Sequence, residues 1–151
     1  MLNQISKRNI DEILFQFLKQ IYHYERELDT RLGLNYQQIC LLQFLRRCST
    51  ARVSEIAEML QIPLFQTTRL VDRLVARGYL QKERGQNDRR EVFVSILSGG
   101  EEALEQVEAY TYHLIQANAG QLSEEELRGF LLAATNIHKL LGAPAENQDD
   151  Q

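Results

Sequence analysis

The sequence predicts a mainly α fold with one small β-hairpin, in which long amphipathic helices at both ends flank a compact middle. Three observations predict it. Apolar residues recur at spacings of three and four over residues 10–28 and again over 127–141, the period of a helix with one buried face. Around Val92, Val94 and Ile96 the period shortens to two, as in a strand. Ser98 with Glu101, and Ser123 with Glu126, have the spacing of capping boxes that open helices.

The elements follow in order. Ile10, Ile13, Leu14, Phe17, Leu18, Ile21 and Leu28 form one stripe, so a first helix is expected from about Asn9 to Arg31, stopped by Gly33. Asn35, with Gln38 three residues on, caps a second helix over Tyr36 to Arg47 that turns Ile39, Leu42 and Leu45 inward. Ser54 is expected to cap a short third helix ending at Leu60 and carrying Ile56, Ala57 and Leu60. Pro63 suits the first turn of a fourth helix, where a missing N–H leaves nothing unsatisfied. That helix turns Leu70, Val71 and Leu74 inward and ends at Gly78. Tyr79 to Arg84 and Glu91 to Leu97 read as two strands joined by the polar loop Gly85 to Arg90. A fifth helix is expected from Glu101 to about Asn118, broken by Gly120 and Gln121. The sixth carries the stripe Leu127, Phe130, Leu131, Ala134, Ile137 and Leu141. The polar, acidic tail is expected to be disordered. The resulting division is 1–34, 35–98, 99–142 and a tail over 143–151.

Composition limits the function classes. The chain has 151 residues, 44% hydrophobic and 25% charged, which fits one ordinary soluble domain that needs no staple. Two cysteines exclude a disulfide scaffold. The longest apolar run, Phe130 to Ala134, is far too short for a transmembrane helix, so no membrane partner is expected. Met1 to Ser6 lacks a secretory pattern, and a cytoplasmic location is expected. The net charge of −4 is unevenly spread. From Arg46 to Glu91 there are ten basic residues against six acidic ones, a local +4 against −8 elsewhere. Nine of those ten are arginine, whose planar fork suits phosphates and base edges. The competing reading of the charge alone is an ordinary solvated surface.

Order of elements favours nucleic acid. Two helices joined by the short turn Gln61 to Pro63, then a hairpin with a basic tip, make a winged helix-turn-helix. The long N- and C-terminal helices would then serve for dimerisation. In such a module the second helix enters the major groove and the wing can reach an adjacent minor groove. The stretches TTRLVDRLVARGYLQKE, Thr67 to Glu83, and NDRREVFVSILSGGEEAL, Asn87 to Leu104, resemble the MarR family of bacterial transcriptional regulators. The resemblance covers essentially the whole chain and is most specific at TRLVDRLVARG and the DRR wing. It implies a homodimeric repressor of a palindromic operator on double-stranded DNA, often relieved by a small phenolic, other aromatic or oxidant signal. The fourth helix departs from the family at its start, where Pro63, Leu64 and Phe65 replace the usual small polar or basic residues.

On the fourth helix Gln66, Thr67, Arg69 and Arg73 are the outward candidates for DNA. Gln pairs with adenine, Arg with guanine, and a Thr methyl meets thymine. Thr67 or Thr68 alternatively contacts only phosphate, which positions without specifying. Leu64 and Phe65 are expected to pack, or to touch a thymine methyl. Asp88 and Arg90 match the family's wing pair. Either Arg89 or Arg90 is expected in the minor groove, with Asp88 holding an arginine and orienting the loop. Cys40 is expected to be a small hydrophobe, and Cys48, beside Arg46 and Arg47, either that or a thiol of lowered pKa. Tyr22, His23, Tyr24, Tyr112 and His113 are candidates to line an effector pocket, or else to pack at a dimer interface. No His or Cys spacing supports a metal site, no cofactor is expected, and no catalytic constellation suggests an enzyme. The rival class is a winged-helix adaptor that binds protein, against which the basic middle argues.

Overall fold

The structure is a computed structural model that describes Met1 and residues 4–143. The tail expected to be disordered lies, beyond Ala143, outside the described residues. The chain divides into two compact units, Met1–Glu108 and the residues from Ala109 on.

In the first unit the helices are α1 (Lys7–Leu32), α2 (Tyr36–Cys48), α3 (Val53–Leu60), α4 (Leu64–Ala76) and the start of α5 (Ser98–Asn118). Local chemistry sets their ends. Ser6 caps α1 by accepting from the Asn9 N–H, and Gly33, at φ +66°, takes the left-handed turn that stops it. Asn35 and Gln38 form the expected reciprocal box. Two expected caps are corrected. Ser54 does not cap α3; Arg52 is the cap position, and the Glu55 carboxylate accepts its backbone N–H at 2.7 Å. Ser98 is already helical, so α5 starts earlier than Glu101. Its first turn passes close to the chain just before β2: a Cβ on Gly100 would lie 2.5 Å from the Tyr79 carbonyl oxygen, so that position has room for no side chain.

The sheet has three antiparallel strands in the order β1 (Thr50–Arg52), β3 (Val92–Ile96), β2 (Leu80–Arg84). Strands β2 and β3 are the expected hairpin, with Leu80 opposite Ile96 and Arg84 opposite Val92. Strand β1 was not expected. Three residues carry too little period to read, and they become a strand only by pairing Ala51 with Val94. The core of this unit gathers Leu34, Leu41, Leu42, Leu45, Ile56, Val71, Leu74, Leu80, Val94 and Leu104, all buried.

The second unit holds the later turns of α5, a 3-10 turn over Ala119–Gln121 and α6 (Glu124–Leu141). Ser123 and Glu126 form the expected capping box, and the Ser123 backbone N–H holds the Glu126 carboxyl below the usual carboxylate range. No residue of α6 is buried within the chain. Among the described residues no helix is long and apolar enough to cross a membrane.

Candidate nucleic-acid interface

Helix α4 buries one face and exposes the other. Thr67, Leu70, Val71 and Leu74 are buried, which leaves Gln66, Thr68, Arg69 and Arg73 exposed. Thr67 is therefore corrected as a DNA contact. It is completely buried, and its hydroxyl donates to the Pro63 carbonyl at 3.1 Å. Packing rotates the helix so that the threonine after it, not Thr67, reaches solvent; the Thr68 hydroxyl donates to the Leu64 carbonyl. For Leu64 and Phe65 the packing alternative is corrected too. At 57% and 61% exposed they do not pack into the core, because the first turn of α4 projects beyond it.

The wing is the loop between β2 and β3. Its tip is closed by the Gly85 N–H donating to the Glu91 carbonyl and by the Glu91 N–H donating to the Asp88 carbonyl. Asp88 does orient this loop, but it holds backbone instead of a guanidinium: its Oδ1 accepts from the Arg90 N–H at 2.9 Å. Arg89 and Arg90 are both exposed. A cleft of about 370 Å³ separates wing from helix, lined by Arg52, Ser54, Leu64, Thr68, Lys82 and Arg90 among others.

Partners decide which basic residues are available. Arg46 pairs with Glu108, whose hydrogen bond strengthens its hold on the proton, and Lys82 pairs with Asp72. Arg52 pairs with Glu91 at 3.2 Å. Arg77 donates to the Gly33 carbonyl and to the Tyr79 hydroxyl, with its guanidinium 4.6 Å from the Tyr79 ring centre. Among the described residues the side chains of Arg47, Arg69, Arg73, Arg84, Arg89 and Arg90 have no such partner. Sequence reasoning counted Arg47 and Arg84 in the basic segment but did not single them out, since only the absence of a neighbouring acid distinguishes them.

The remaining candidates sort plainly. Cys48 is exposed, and desolvation pushes its thiol up despite Arg47, so it is not the activated thiol that its arginine neighbours suggested. Cys40 is half-buried. Tyr22 and His23 are exposed and Tyr24 is half-buried on α1. In the second unit the Tyr112 and His113 rings meet edge to face at 5.9 Å. None of these five lines the cleft beside the wing. Among the described residues no group of three or more His, Cys, Asp or Glu side chains is placed to hold a metal ion.

Known proteins share this arrangement. The sequence pattern of the MarR family matches residues 32–91, from the end of α1 to the wing. The chain is 28% identical over 119 residues to MdtR, an HTH-type transcriptional repressor of Bacillus subtilis, covering 79% of this chain and 74% of that one. Two solved structures share the fold. A mutant of MarR from E. coli complexed with operator DNA superposes with a TM-score of 0.65 at 22% identity, over 88% of this chain and 99% of that one. BpsR of Bordetella bronchiseptica, whose DNA binding is regulated by 6-hydroxynicotinic acid, superposes with a TM-score of 0.62 at 19% identity, over 82% and 97%. Over residues 32–91, the winged helix-turn-helix, this chain matches the pattern of the MarR family of transcriptional regulators and is similar to its members.

Proposed function

We propose that the chain is a homodimeric repressor that binds a palindromic operator on double-stranded DNA and is released from it by a small aromatic effector. The observation that carries the DNA reading is the clustering, on one helix face and the wing, of arginines without a partner among the described residues: Arg69 and Arg73 on the exposed face of α4, and Arg84, Arg89 and Arg90 on the wing. Arg46 and Arg52 are tied to acids and Arg77 to the Gly33 carbonyl and the Tyr79 hydroxyl, whereas these five have no such partner among the described residues. In the complex α4 lies in the major groove, Gln66 and Arg69 read base edges, Thr68 contacts phosphate, and Arg89 or Arg90 reaches the minor groove.

The dimer reading rests on apolar surface. Ile13, Leu14, Phe17, Leu18 and Ile21 on α1, and Phe130, Leu131 and Leu132 on α6, are all more than a third exposed. Stripes of this kind call for a second copy of the same chain. The functional division is then 1–34 and 99–142 for dimerisation and 35–98 for DNA, in the cytoplasm beside the genome. The effector reading is supported by BpsR and by the aromatic side chains of Tyr22, His23, Tyr24, Tyr112 and His113.

Selection of fragments from genomic DNA by the full chain tests this. The expected product is a palindrome with half-sites about 10 base pairs apart, one helical turn. Binding should fall steeply with salt, with a log–log slope of about −4 to −5 if half of these arginines in a dimer meet phosphate. Retention of no fragment, with affinity for random duplex that is flat in salt, would leave a protein-binding adaptor as the better reading.

A further inference from the structure

The first turn of α4 presents something the arginines do not explain. Leu64 and Phe65 are 57% and 61% exposed, at the end of the helix that leads into the groove. Leu64 borders the cleft beside the wing, whereas Phe65 is not among its lining residues. Phe65 instead lies four and eight residues before Arg69 and Arg73, on the same exposed ridge. Gln66 is exposed beside it.

We infer that Phe65 is a specificity-determining residue that reads the 5-methyl group of thymine. The inference rests on the DNA-binding reading above. A phenyl ring has no hydrogen bonds to offer a base edge, and the only apolar group on the floor of the major groove is the thymine methyl. Gln66, one residue on, offers the fork that pairs with adenine. Together the two select an A·T pair from both strands, and Arg69, one turn further along the helix, is free to select guanine.

Charge identifies the occupant. A second copy of this chain docking on Phe65 would bring Arg69 and Arg73 of one copy towards those of the other. The one acid on α4, Asp72, is already paired with Lys82. What fits an apolar group framed by unpaired arginines is a polyanion with methyl groups in its groove. The apolar stripe of α6 differs in this respect, since that helix begins with three glutamates.

Thymine and uracil differ in a duplex by that methyl alone, which makes the test direct. A duplex selected from a random library by the full-length protein is resynthesised with uracil at each thymine in turn, and binding is measured for the protein and for Phe65→Ala. Burial of one methyl corresponds to about a four-fold change in affinity, hence about fifteen-fold when both half-sites of a palindrome are altered. The expected result is that loss for one uracil position with the native protein and no loss at that position with Phe65→Ala. Phe65→Leu, which keeps an apolar tip, should retain part of the discrimination. Uracil tolerated everywhere by the native protein overturns the inference, and so does a uracil penalty that persists in Phe65→Ala, which reports duplex shape. Failure to select any duplex refutes the DNA-binding reading itself and is distinguishable from both.

Discussion

Replacing Asp88 separates two accounts of the wing that agree on everything else. If the tip acts only through charge, removing a carboxylate near DNA must tighten binding. The geometry argues the reverse for Asp88→Ala. Its Oδ1 accepts the Arg90 N–H at 2.9 Å, and this is the side-chain bond that holds the backbone between the two wing arginines and the closed end of the loop. A net hydrogen bond of this kind stabilises by about 1 kcal/mol. Losing it leaves Arg89 and Arg90 to be ordered on binding, at a cost of similar size per wing. Against this, relief of repulsion between a carboxylate and a phosphate roughly 8 Å apart in water amounts to about 0.5 kcal/mol before screening. At physiological salt, where the Debye length is about 8 Å, roughly a third of that survives. The ordering loss wins. For two wings the expected weakening is on the order of ten- to thirty-fold. Asp88→Asn is the control, because it keeps an oxygen acceptor at the same place and removes the charge. It should bind within about two-fold of the native protein, or slightly more tightly at low salt. Titration of a fluorescent operator duplex by anisotropy at two salt concentrations measures all three proteins. Tighter binding by Asp88→Ala, matching Asp88→Asn, would refute the ordering argument and reduce the wing to an electrostatic tip.

Neighbouring threonines should behave oppositely. Thr67→Val should change stability by no more than about 1 kcal/mol and leave operator affinity unaltered, because the Pro63 carbonyl it abandons still accepts the Gln66 and Thr67 N–H groups. Thr68→Ala should weaken binding a few-fold on operator and random duplex alike, as a phosphate contact does. Leu131→Glu, at a site 56% exposed within the chain, should lower the sedimentation mass from two chains to one and not unfold the first unit, as near-native helical circular dichroism would confirm. Arg77→Ala removes hydrogen bonds to the Gly33 carbonyl and the Tyr79 hydroxyl, and a thermal melt should shift down by a few degrees, for a loss of about 1–2 kcal/mol.

Helix positions were legible in the sequence because their causes are local. The stripe from Ile10 to Leu28, the boxes at Asn35–Gln38 and Ser123–Glu126, and the stops at Gly33 and Gly78 each involve residues within a few turns of one another. So does the hairpin, whose partners Arg84 and Val92 are separated only by the wing. The basic character of residues 46–91 needs no structure at all. What the sequence could not determine depends on neighbours brought together by folding. Strand β1 exists only as an edge for β3. Thr67 and Thr68 are chemically identical, and the roll of α4 on the core, set by Leu70, Val71 and Leu74, buries one and exposes the other. The same roll, with the projection of its first turn, puts Phe65 in solvent. Of ten basic residues in one segment, Arg46 finds Glu108 sixty-two positions away and Arg77 finds Gly33 forty-four away. Arg69 and Arg90 find no partner among the described residues. A guanidinium's availability to DNA is a property of the space around it, and only the tertiary structure fills or leaves open that space.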